Sequence, residues 1–429
     1  MRPKRVPQSF LWVALLVSLP TCTASEAARG EGRGEGDTSP VVSEAPKDVV
    51  PGVDVLLSDS VHLVRGKRIG LVTNHTGIDA RGTPSIDRLM ESPDVELVSL
   101  FSPEHGIRGD VRGGDVIDSG RDEVTGLPVY SLYGNTRKPT PEMLQGLDVL
   151  LFDIQDVGAR YYTYISTMAL AMEAAGEAGI PFVVLDRPNP IGGVAVQGNV
   201  LDPAFSTFVG LYPIPMRHGM TPGELARLFS GEFGVEVELH VVPADGWQRS
   251  MDFQDTGLPW VPPSPNMPSL ESAYHYPGTC LFEGTNISVG RGTDRAFQIL
   301  GAPWLNPDSL VAVMETYGLP GVGFQAIRFT PGRPGDGKYG NEEIPGISLK
   351  VLSRDYDPTV TALALLREIR RMSGDRWEWR VSHFDRLAGT DALRLGLEAD
   401  LGMDALQEGW AAALSDFKRL REPYLIYPR

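Results

Sequence analysis

Glu104 and His105 are the first candidates for catalytic residues. Both side chains are ionisable, and they follow closely after an apolar run from Val95 to Phe101. That run is long enough for a strand buried on both faces, which is typical of a central parallel strand. Ser102-Pro103 ends it, since proline cannot extend a strand ladder. Ionisable side chains at the carboxyl end of such a strand stand where open α/β sheets bind ligands. The alternative is a solvated loop carboxylate beside a structural histidine.

Three further apolar runs end in polar residues of the same kind. Open α/β sheets bind ligands outside the carboxyl ends of their strands, so we expect these side chains to converge on one hollow. They are Asn74 and His75 after residues 68–73, Asp153 and Asp156 after residues 147–152, and Asp186, Arg187 and Asn189 after residues 180–185.

Carboxylates beside aromatic and amide side chains are what carbohydrate hydrolysis requires. One acid protonates the leaving oxygen, and an anion or an intramolecular group stabilises the oxocarbenium-like charge. Glu104 is the candidate acid, and His105 would tune or orient it. The sequence leaves open which group faces the anomeric carbon. For each aspartate alone, the alternative is a helix cap or a buried partner for arginine, and Asp186-Arg187 is a candidate structural pair.

Later segments add further candidates. Glycines on both sides of Arg291 would let its guanidinium approach a ligand carboxylate closely. A catalytic role is predicted for Asp153 and Glu283 as well as for Glu104 and His105. The predicted substrate-binding residues are Asn74, His75, Arg160, Tyr161, Tyr164, Asp186, Arg187, Asn189, His218, Asn286, Arg291 and Asp294.

Several familiar motifs are absent from the sequence. No GxGxxG follows the first strand and no GxxxxGK[ST] occurs, so a Rossmann-type sheet here need not bind a dinucleotide. HExxH and GxSxG are also missing, which weakens metalloprotease and serine-hydrolase interpretations. His75, His105 and His218 lie in separate loops, and we predict neither a metal nor a cofactor. A hydrolase that binds a metal through His105, Asp153 and Asp156 stays open as an alternative.

The charge balance limits the choice of partners. The chain has 429 residues and a formal net charge of −16, which speaks against nucleic acid or an anionic membrane surface as the main partner. The apolar fraction of 42% is ordinary for a globular protein. The sequence does not indicate an oligomeric state.

The amino-terminal residues 1–28 predict export. A basic segment precedes the short apolar run from Phe10 to Leu19, which is typical of a secretory signal. Cys22 lies close to a lipoprotein box, so the alternatives are lipid attachment there and ordinary cleavage after Ala27 or Ala28. The expected location is the periplasm, free or anchored to a membrane by an amino-terminal lipid.

The remaining chain alternates strands and helices. We predict a disordered linker over residues 29–50, a Rossmann-like catalytic domain over 51–215, and a mixed α/β substrate-binding domain over 216–429. Residues 106–133 are predicted as a long loop, and residues 260–276 as an extended, proline-rich one. Thr221 to Glu224 form a predicted capping box for a helix.

Eight segments together resemble the exo-β-N-acetylmuramidase family. They are Gly70-Leu-Val-Thr-Asn-His-Thr-Gly77, Phe101-Ser-Pro-Glu-His-Gly106, Asp153-Ile-Gln-Asp-Val-Gly-Ala-Arg-Tyr-Tyr-Thr-Tyr164, Asp186-Arg-Pro-Asn-Pro-Ile-Gly-Gly193, Arg217-His-Gly-Met-Thr-Pro-Gly-Glu-Leu225, Pro262-Pro-Ser-Pro-Asn-Met-Pro268, Glu283-Gly-Thr-Asn286 and Gly290-Arg-Gly-Thr-Asp294.

This resemblance implies a Rossmann-like domain, a second α/β domain and an active site in the cleft between them. It implies release of N-acetylmuramic acid from the non-reducing end of peptidoglycan fragments, with Glu104 as the catalytic candidate. An arginine, either Arg291 or Arg160, would bind the lactyl carboxylate that distinguishes muramic acid from glucosamine. The alternative in another class is a non-catalytic lipoprotein that binds cell-wall sugars.

Overall fold

The computed structural model describes residues 48–109, 111, 115 and 118–429. The described residues belong to one compact unit. The predicted signal and most of the predicted linker therefore lie outside the described residues. The sequence places residues 48–50 in the linker, but they form hydrogen bonds with the folded part of the chain. The Val49 amide donates to the Thr256 carbonyl oxygen at 3.1 Å, and the Val50 amide donates to the Asp245 carbonyl oxygen at 2.9 Å.

The described residues form twelve strands. They are β1 (Arg68–Thr73), β2 (Glu96–Ser102), β3 (Gly120–Arg121), β4 (Pro128–Ser131), β5 (Val149–Asp153), β6 (Phe182–Leu185), β7 (Gln197–Val200), β8 (Pro215–Arg217), β9 (Leu239–Val242), β10 (Ile299–Gly301), β11 (Val322–Phe329) and β12 (Ile344–Val351).

The helices of the described residues are α1 (Gly52–Ser58), α2 (Ser85–Glu91), α3 (Pro141–Leu144), α4 (Tyr164–Ala178), α5 (Pro222–Glu232), α6 (Leu270–Thr279), α7 (Pro307–Thr316), α8 (Pro358–Ser373), α9 (Val381–Ala388), α10 (Ala392–Glu398) and α11 (Met403–Leu420). None of them is long and apolar enough to cross a membrane.

The largest sheet has the strand order β3-β4-β2-β1-β5-β6-β9. All its pairs are parallel except β3 with β4. Without β3, the six parallel strands follow the order 3-2-1-4-5-6 of a Rossmann sheet. The chain runs from β1 towards one edge and from β5 towards the other, so the topological switch point lies between β1 and β5.

Both faces of this sheet are covered. Every residue of β5 is buried, and alternate side chains of β1 enter different clusters, with Ile69 and Leu71 on one side and Val72 on the other. Near-continuous apolar strands are therefore required, which is the pattern that the sequence shows.

The second part of the chain is mixed α/β. Strands β10, β12 and β11 form an antiparallel sheet beside α6 and α7, and α8 packs against these two helices. The predicted fold class, a Rossmann-like sheet followed by a mixed α/β region, is confirmed. Strand β9 completes the first sheet although it lies beyond residue 215, where the sequence places a domain boundary.

Two loop predictions are wrong in part. The stretch 106–133 contains β3 and β4, and β4 pairs with β2. The stretch 260–276 ends in α6, because the Ser269 hydroxyl caps the helix by accepting from the Ser272 amide at 3.2 Å. Pro277 is tolerated within the last turn of that helix.

Candidate active site

A cavity of about 230 Å³ lies where the loop after β2, the amino end of α4 and the loop before α6 meet. Its position beyond the carboxyl end of a parallel strand is the one that open α/β sheets use for ligands. Glu104 is the only carboxylate among the described residues that line it. The lining residues are Glu104, His105, Tyr161, Tyr162, Thr163, Tyr164, Ser264, Asn266, Met267, Tyr276, Arg291 and Phe297.

Glu104 is held from two directions. Thr163, the residue that precedes α4, donates from its hydroxyl to Glu104 Oε2 at 2.8 Å. Tyr133 also hydrogen-bonds the Glu104 carboxylate, and burial together with that negative charge raises the pKa of Tyr133 to about 12. Glu104 is thus fixed in orientation at the cavity wall.

His105 has a constrained backbone. Its φ of +73° lies in the left-handed region, where a residue other than glycine is uncommon, and Gly106 follows with φ +78°. His105 Nδ1 lies 2.9 Å from the Val111 carbonyl oxygen. Because a carbonyl only accepts, Nδ1 carries the proton and Nε2 is left as an acceptor in the neutral ring.

Tyrosines form one wall of the cavity. Tyr162 packs edge-on against Tyr164 at 5.0 Å and against Tyr276 at 5.6 Å between ring centroids. Burial raises the pKa of each of these tyrosines above its ordinary value. The phenols therefore remain neutral, and the wall offers aromatic surface of the kind on which a sugar ring packs.

The proline-rich loop before α6 is fastened to residues near the strand ends. His75 Nε2 lies 2.8 Å from the Pro262 carbonyl oxygen, and the Tyr164 hydroxyl donates to the Pro263 carbonyl at 2.5 Å. These two bonds hold the next residues of the loop, Ser264 and Asn266, at the cavity. His75 and Tyr164, both predicted to bind substrate, thus fix this loop, and Tyr164 also lines the cavity itself.

Arg291 presents a guanidinium to the cavity. Its Nε forms an ion pair with Glu283, and its guanidinium carbon lies 5.5 Å from the Phe297 ring centroid. Burial raises the pKa of Glu283, but the Arg291 charge outweighs burial and holds that pKa below its usual value. In the described part of the chain, no acceptor hydrogen-bonds the two terminal nitrogens of Arg291. One edge of the guanidinium is therefore open to a ligand.

Lys338 fixes the segment that carries Glu283. Its buried ammonium donates to the Phe282 carbonyl at 3.0 Å and to the Ile287 carbonyl at 2.8 Å. Desolvation lowers the pKa of Lys338 to about 8. Its role is to hold the backbone on which Arg291 is anchored.

Asp153, predicted to be catalytic, does not line the cavity. Its fully buried carboxylate pairs with Arg187 through two bonds, Nε to Oδ1 at 2.5 Å and Nη2 to Oδ2 at 3.0 Å, and it also accepts from Ser85. Arg187 donates further to the Ile78 carbonyl at 2.7 Å. This pair links β5 to the residues that follow β6.

Asp186 is also buried and lies outside the cavity lining. Its carboxylate accepts from the Thr221 hydroxyl at 2.6 Å, the Tyr427 hydroxyl at 2.7 Å and the Gly223 amide at 2.8 Å. Burial raises the pKa of Asp186 to about 6, against the lowering effect of these donors. The residue ties β6 to the start of α5 and to the carboxyl terminus. The capping box predicted for α5, between Thr221 and Glu224, is confirmed.

Both terminal nitrogens of Arg160 are bound to backbone carbonyls. Its guanidinium donates to four carbonyl oxygens, those of Asn199, Ile214, Leu387 and Ala388, at 2.8 to 3.1 Å. It does not line the cavity, so of the two arginines considered for a ligand carboxylate, the geometry leaves Arg291.

Three other predicted substrate-binding residues hold loops. Asn74 Oδ1 accepts from the Thr76 amide at 2.9 Å, and Asn189 Nδ2 donates to the Met220 carbonyl at 3.0 Å. Asn286 Nδ2 donates to the Arg376 carbonyl at 2.7 Å. Asp294 is exposed.

His218 and Asp156 are buried side by side outside the cavity lining, with His218 Nε2 3.6 Å from Asp156 Oδ2. The Asp156 carboxylate also accepts from the Gly158 amide at 2.7 Å. Among the described residues, no group of three histidine, cysteine, aspartate or glutamate side chains is arranged to hold a metal ion.

Sequence reasoning missed part of the lining. Thr163 lies in the segment Asp153–Tyr164, which carries part of the family resemblance. Tyr133, which holds Glu104 without lining the cavity, carries no signal of its own, because a residue after a short strand acquires such a role only through the tertiary structure. Ser264 and Asn266 belong to one of the segments that carry the family resemblance, and that segment was the available signal.

The topology and the cavity define a Rossmann-like α/β protein with a single carboxylate and an open guanidinium among the described residues of its candidate site. A family model described as exo-beta-N-acetylmuramidase NamZ, N-terminal, matches residues 69–271, and its C-terminal counterpart matches residues 274–427. The chain therefore belongs to the exo-β-N-acetylmuramidase NamZ family.

Individual relatives agree with this assignment. The peptidoglycan beta-N-acetylmuramidase NamZ of Bacillus subtilis (strain 168) is 46% identical over 420 residues, covering 97% of this chain and 99% of that protein. Two crystal structures of DUF1343 family proteins from Bacteroides fragilis NCTC 9343 are similar over 89% of this chain and 99% of theirs. Their TM-scores are 0.83 and 0.72, with 38% and 33% sequence identity.

Proposed function

We propose that this protein is an exo-acting glycosidase that releases N-acetylmuramic acid from the non-reducing end of peptidoglycan fragments. Membership of the NamZ family and the 46% identity to a peptidoglycan beta-N-acetylmuramidase support the reaction. The observation that carries the assignment of residues is the cavity that contains both Glu104 and the open edge of Arg291.

Glu104 acts as the general acid in this proposal. It protonates the glycosidic oxygen while the bond from C1 to that oxygen breaks, and water supplies the hydroxyl of the released sugar. Its bonds from Thr163 and Tyr133 support the role, because they fix the carboxyl group relative to the tyrosine wall.

Arg291 binds the lactyl carboxylate in this proposal. Glu283 occupies Nε, and the two terminal nitrogens form a fork that matches a carboxylate. Glucosamine lacks the lactyl group, so the fork would discriminate between the two sugars. Ser264, Asn266 and His105 Nε2 offer hydrogen bonds to the remaining polar groups of the sugar.

The test compares a chromogenic N-acetylmuramic acid glycoside with the same compound carrying a neutral lactyl amide. We expect the protein to prefer the charged compound by about 10- to 100-fold in kcat/KM, the value of one charge-assisted hydrogen-bonded contact. Arg291→Gln should sharply reduce that preference, whereas Arg419→Gln, at an exposed arginine on α11, should keep it. Equal rates on both compounds for the unmodified protein would refute the role of Arg291.

We also propose that the protein is exported and that its amino end is a signal, on the strength of the basic segment and the apolar run before Cys22. Expression in a bacterial host with a radiolabelled fatty acid distinguishes the two alternatives. Label that is lost in Cys22→Ser supports a lipoprotein, whereas unlabelled, shortened protein supports ordinary cleavage.

A further inference from the structure

Two exposed arginines, Arg137 and Arg386, lie beside the residue that holds Glu104. That residue is Tyr133. Burial and the Glu104 charge raise the pKa of Tyr133, and the two guanidinium charges are close enough to lower it. The two arginines come from distant parts of the chain, one after β4 and one on α9. We name them the basic rim.

Arg137 lies against an aromatic pair. Its guanidinium carbon is 4.3 Å from the Phe208 ring centroid and 5.9 Å from that of Tyr133, and the two rings are 6.1 Å apart. Cation–π contact holds the guanidinium in place without neutralising its charge.

Arg386 is positioned by its own helix. Its Nη2 donates to His383 Nδ1 at 2.6 Å, and burial lowers the pKa of His383, so this imidazole is a neutral acceptor. The helix is attached near Glu283, because the Arg380 amide donates to the Gly284 carbonyl at 2.8 Å. Helix α9 thus connects the surroundings of Glu104 with the segment that anchors Arg291.

The basic rim is not neutralised within the described part of the chain, where no carboxylate oxygen lies within 4 Å of either guanidinium. Other exposed arginines, such as Arg354 and Arg419, do have such partners. In a chain of net charge −16, two arginines near Tyr133 that have no carboxylate partner among the described residues create a local positive field, and such fields concentrate anions.

We propose that the basic rim captures the carboxylate of the incoming muramic acid sugar before Arg291 binds it. This inference rests on the proposed function, because it takes the substrate to be an anion. A protein with an excess of negative charge repels such a substrate at long range, and a positive entrance at the cavity offsets that repulsion. The rim residues contribute to capture and not to bond breaking.

The experiment measures kcat and kcat/KM of Arg137→Gln/Arg386→Gln at several salt concentrations. The control is Arg354→Gln/Arg419→Gln, which changes the net charge equally at side chains that are 62% and 71% exposed. We expect the rim variant to lose about 3- to 10-fold in kcat/KM on the charged glycoside at low salt, with kcat unchanged. The loss should shrink above about 0.2 M salt, as screening shortens the range of the field, and should be absent on the neutral lactyl amide.

A rim variant that keeps its kcat/KM, or that loses it equally on both compounds, overturns the inference, as does an equal loss in the control. If the unmodified protein hydrolyses neither compound, the proposed function is wrong, but the capture of a carboxylate by the basic rim can still be tested. Calorimetry with N-acetylmuramic acid then decides: weaker binding by the rim variant than by the control supports the rim, and equal binding overturns it.

Discussion

The Thr163 hydroxyl donates to Glu104 Oε2 at 2.8 Å and so joins the amino end of α4 to the carboxyl end of β2. The two residues are 59 positions apart in the sequence. Thr163 stands at the N-cap of α4, but its hydroxyl makes no capping bond to that helix. It instead orients Glu104, the only carboxylate among the described residues that line the cavity. The geometry of the candidate acid therefore depends on α4 as well as on β2.

Thr163→Val should lower kcat about tenfold with little change in KM. The isosteric methyl group cannot donate to Glu104, and one hydrogen bond has a value of this order. Steady-state kinetics on a muramic acid disaccharide measure the effect. Thr163→Ser, which keeps the hydroxyl, should restore kcat, and a serine variant as slow as the valine variant would contradict the positioning role.

Glu283→Gln separates an anchoring role from a catalytic one. If Glu283 anchors Arg291, the variant should raise KM for the charged glycoside about tenfold and leave kcat nearly unchanged, because a charged contact to Nε is replaced by a neutral one. If Glu283 is catalytic, as the sequence predicts, kcat should fall by about 10²- to 10⁴-fold. The neutral lactyl amide is the control, and its KM should not change in the anchoring case.

Asp153→Asn should reduce the free energy of unfolding by about 3 to 5 kcal/mol, because it leaves the buried Arg187 charge without its partner. Urea denaturation followed by circular dichroism measures this. Asp94→Asn is the matched control: it breaks an ion pair with Arg65 whose side chains are 60% and 41% exposed, and it should change stability by less than about 1 kcal/mol. Equal effects would contradict a structural role for the buried pair.

Asp186 should make stability depend on pH. Burial raises its pKa from 3.8 to about 6, so the folded state binds this proton more tightly than the unfolded state does. The contribution of Asp186 to the free energy of unfolding is full below pH 3.8 and is lost as the pH rises through 6. The change is about 3 kcal/mol. Between pH 3.8 and about 6, the free energy of unfolding of the unmodified protein should fall relative to that of Asp186→Asn. A difference between the two proteins that stays constant with pH would contradict the burial effect.

Much of the fold follows from local pattern. Strand β1 spans residues 68–73 as predicted, because a buried parallel strand is a continuous apolar run. Strand β4 was missed, since four residues beginning with proline carry no strand signal and pair only because β2 is beside them. The start of α6 was missed because prolines up to residue 268 conceal the Ser269 cap.

The site could be predicted only in outline. Sequence reasoning placed Glu104 and Arg291 in one hollow, and both line the cavity. The sequence could not distinguish residues that face the cavity from residues that support its walls, because Asp153 and Asp186 also lie at the carboxyl ends of parallel strands. Their side chains turn to buried partners, Arg187 and Thr221, which only the tertiary structure brings close.

The most direct test is the rate of Glu104→Gln on two muramic acid glycosides, one with a sugar leaving group and one with a nitrophenolate. We expect kcat to fall by about 10²- to 10⁴-fold on the sugar and far less on the nitrophenolate, which needs no proton. Glu123→Gln, at an exposed position, is the matched control and should keep full activity. An unchanged rate of Glu104→Gln on the sugar substrate would contradict the account.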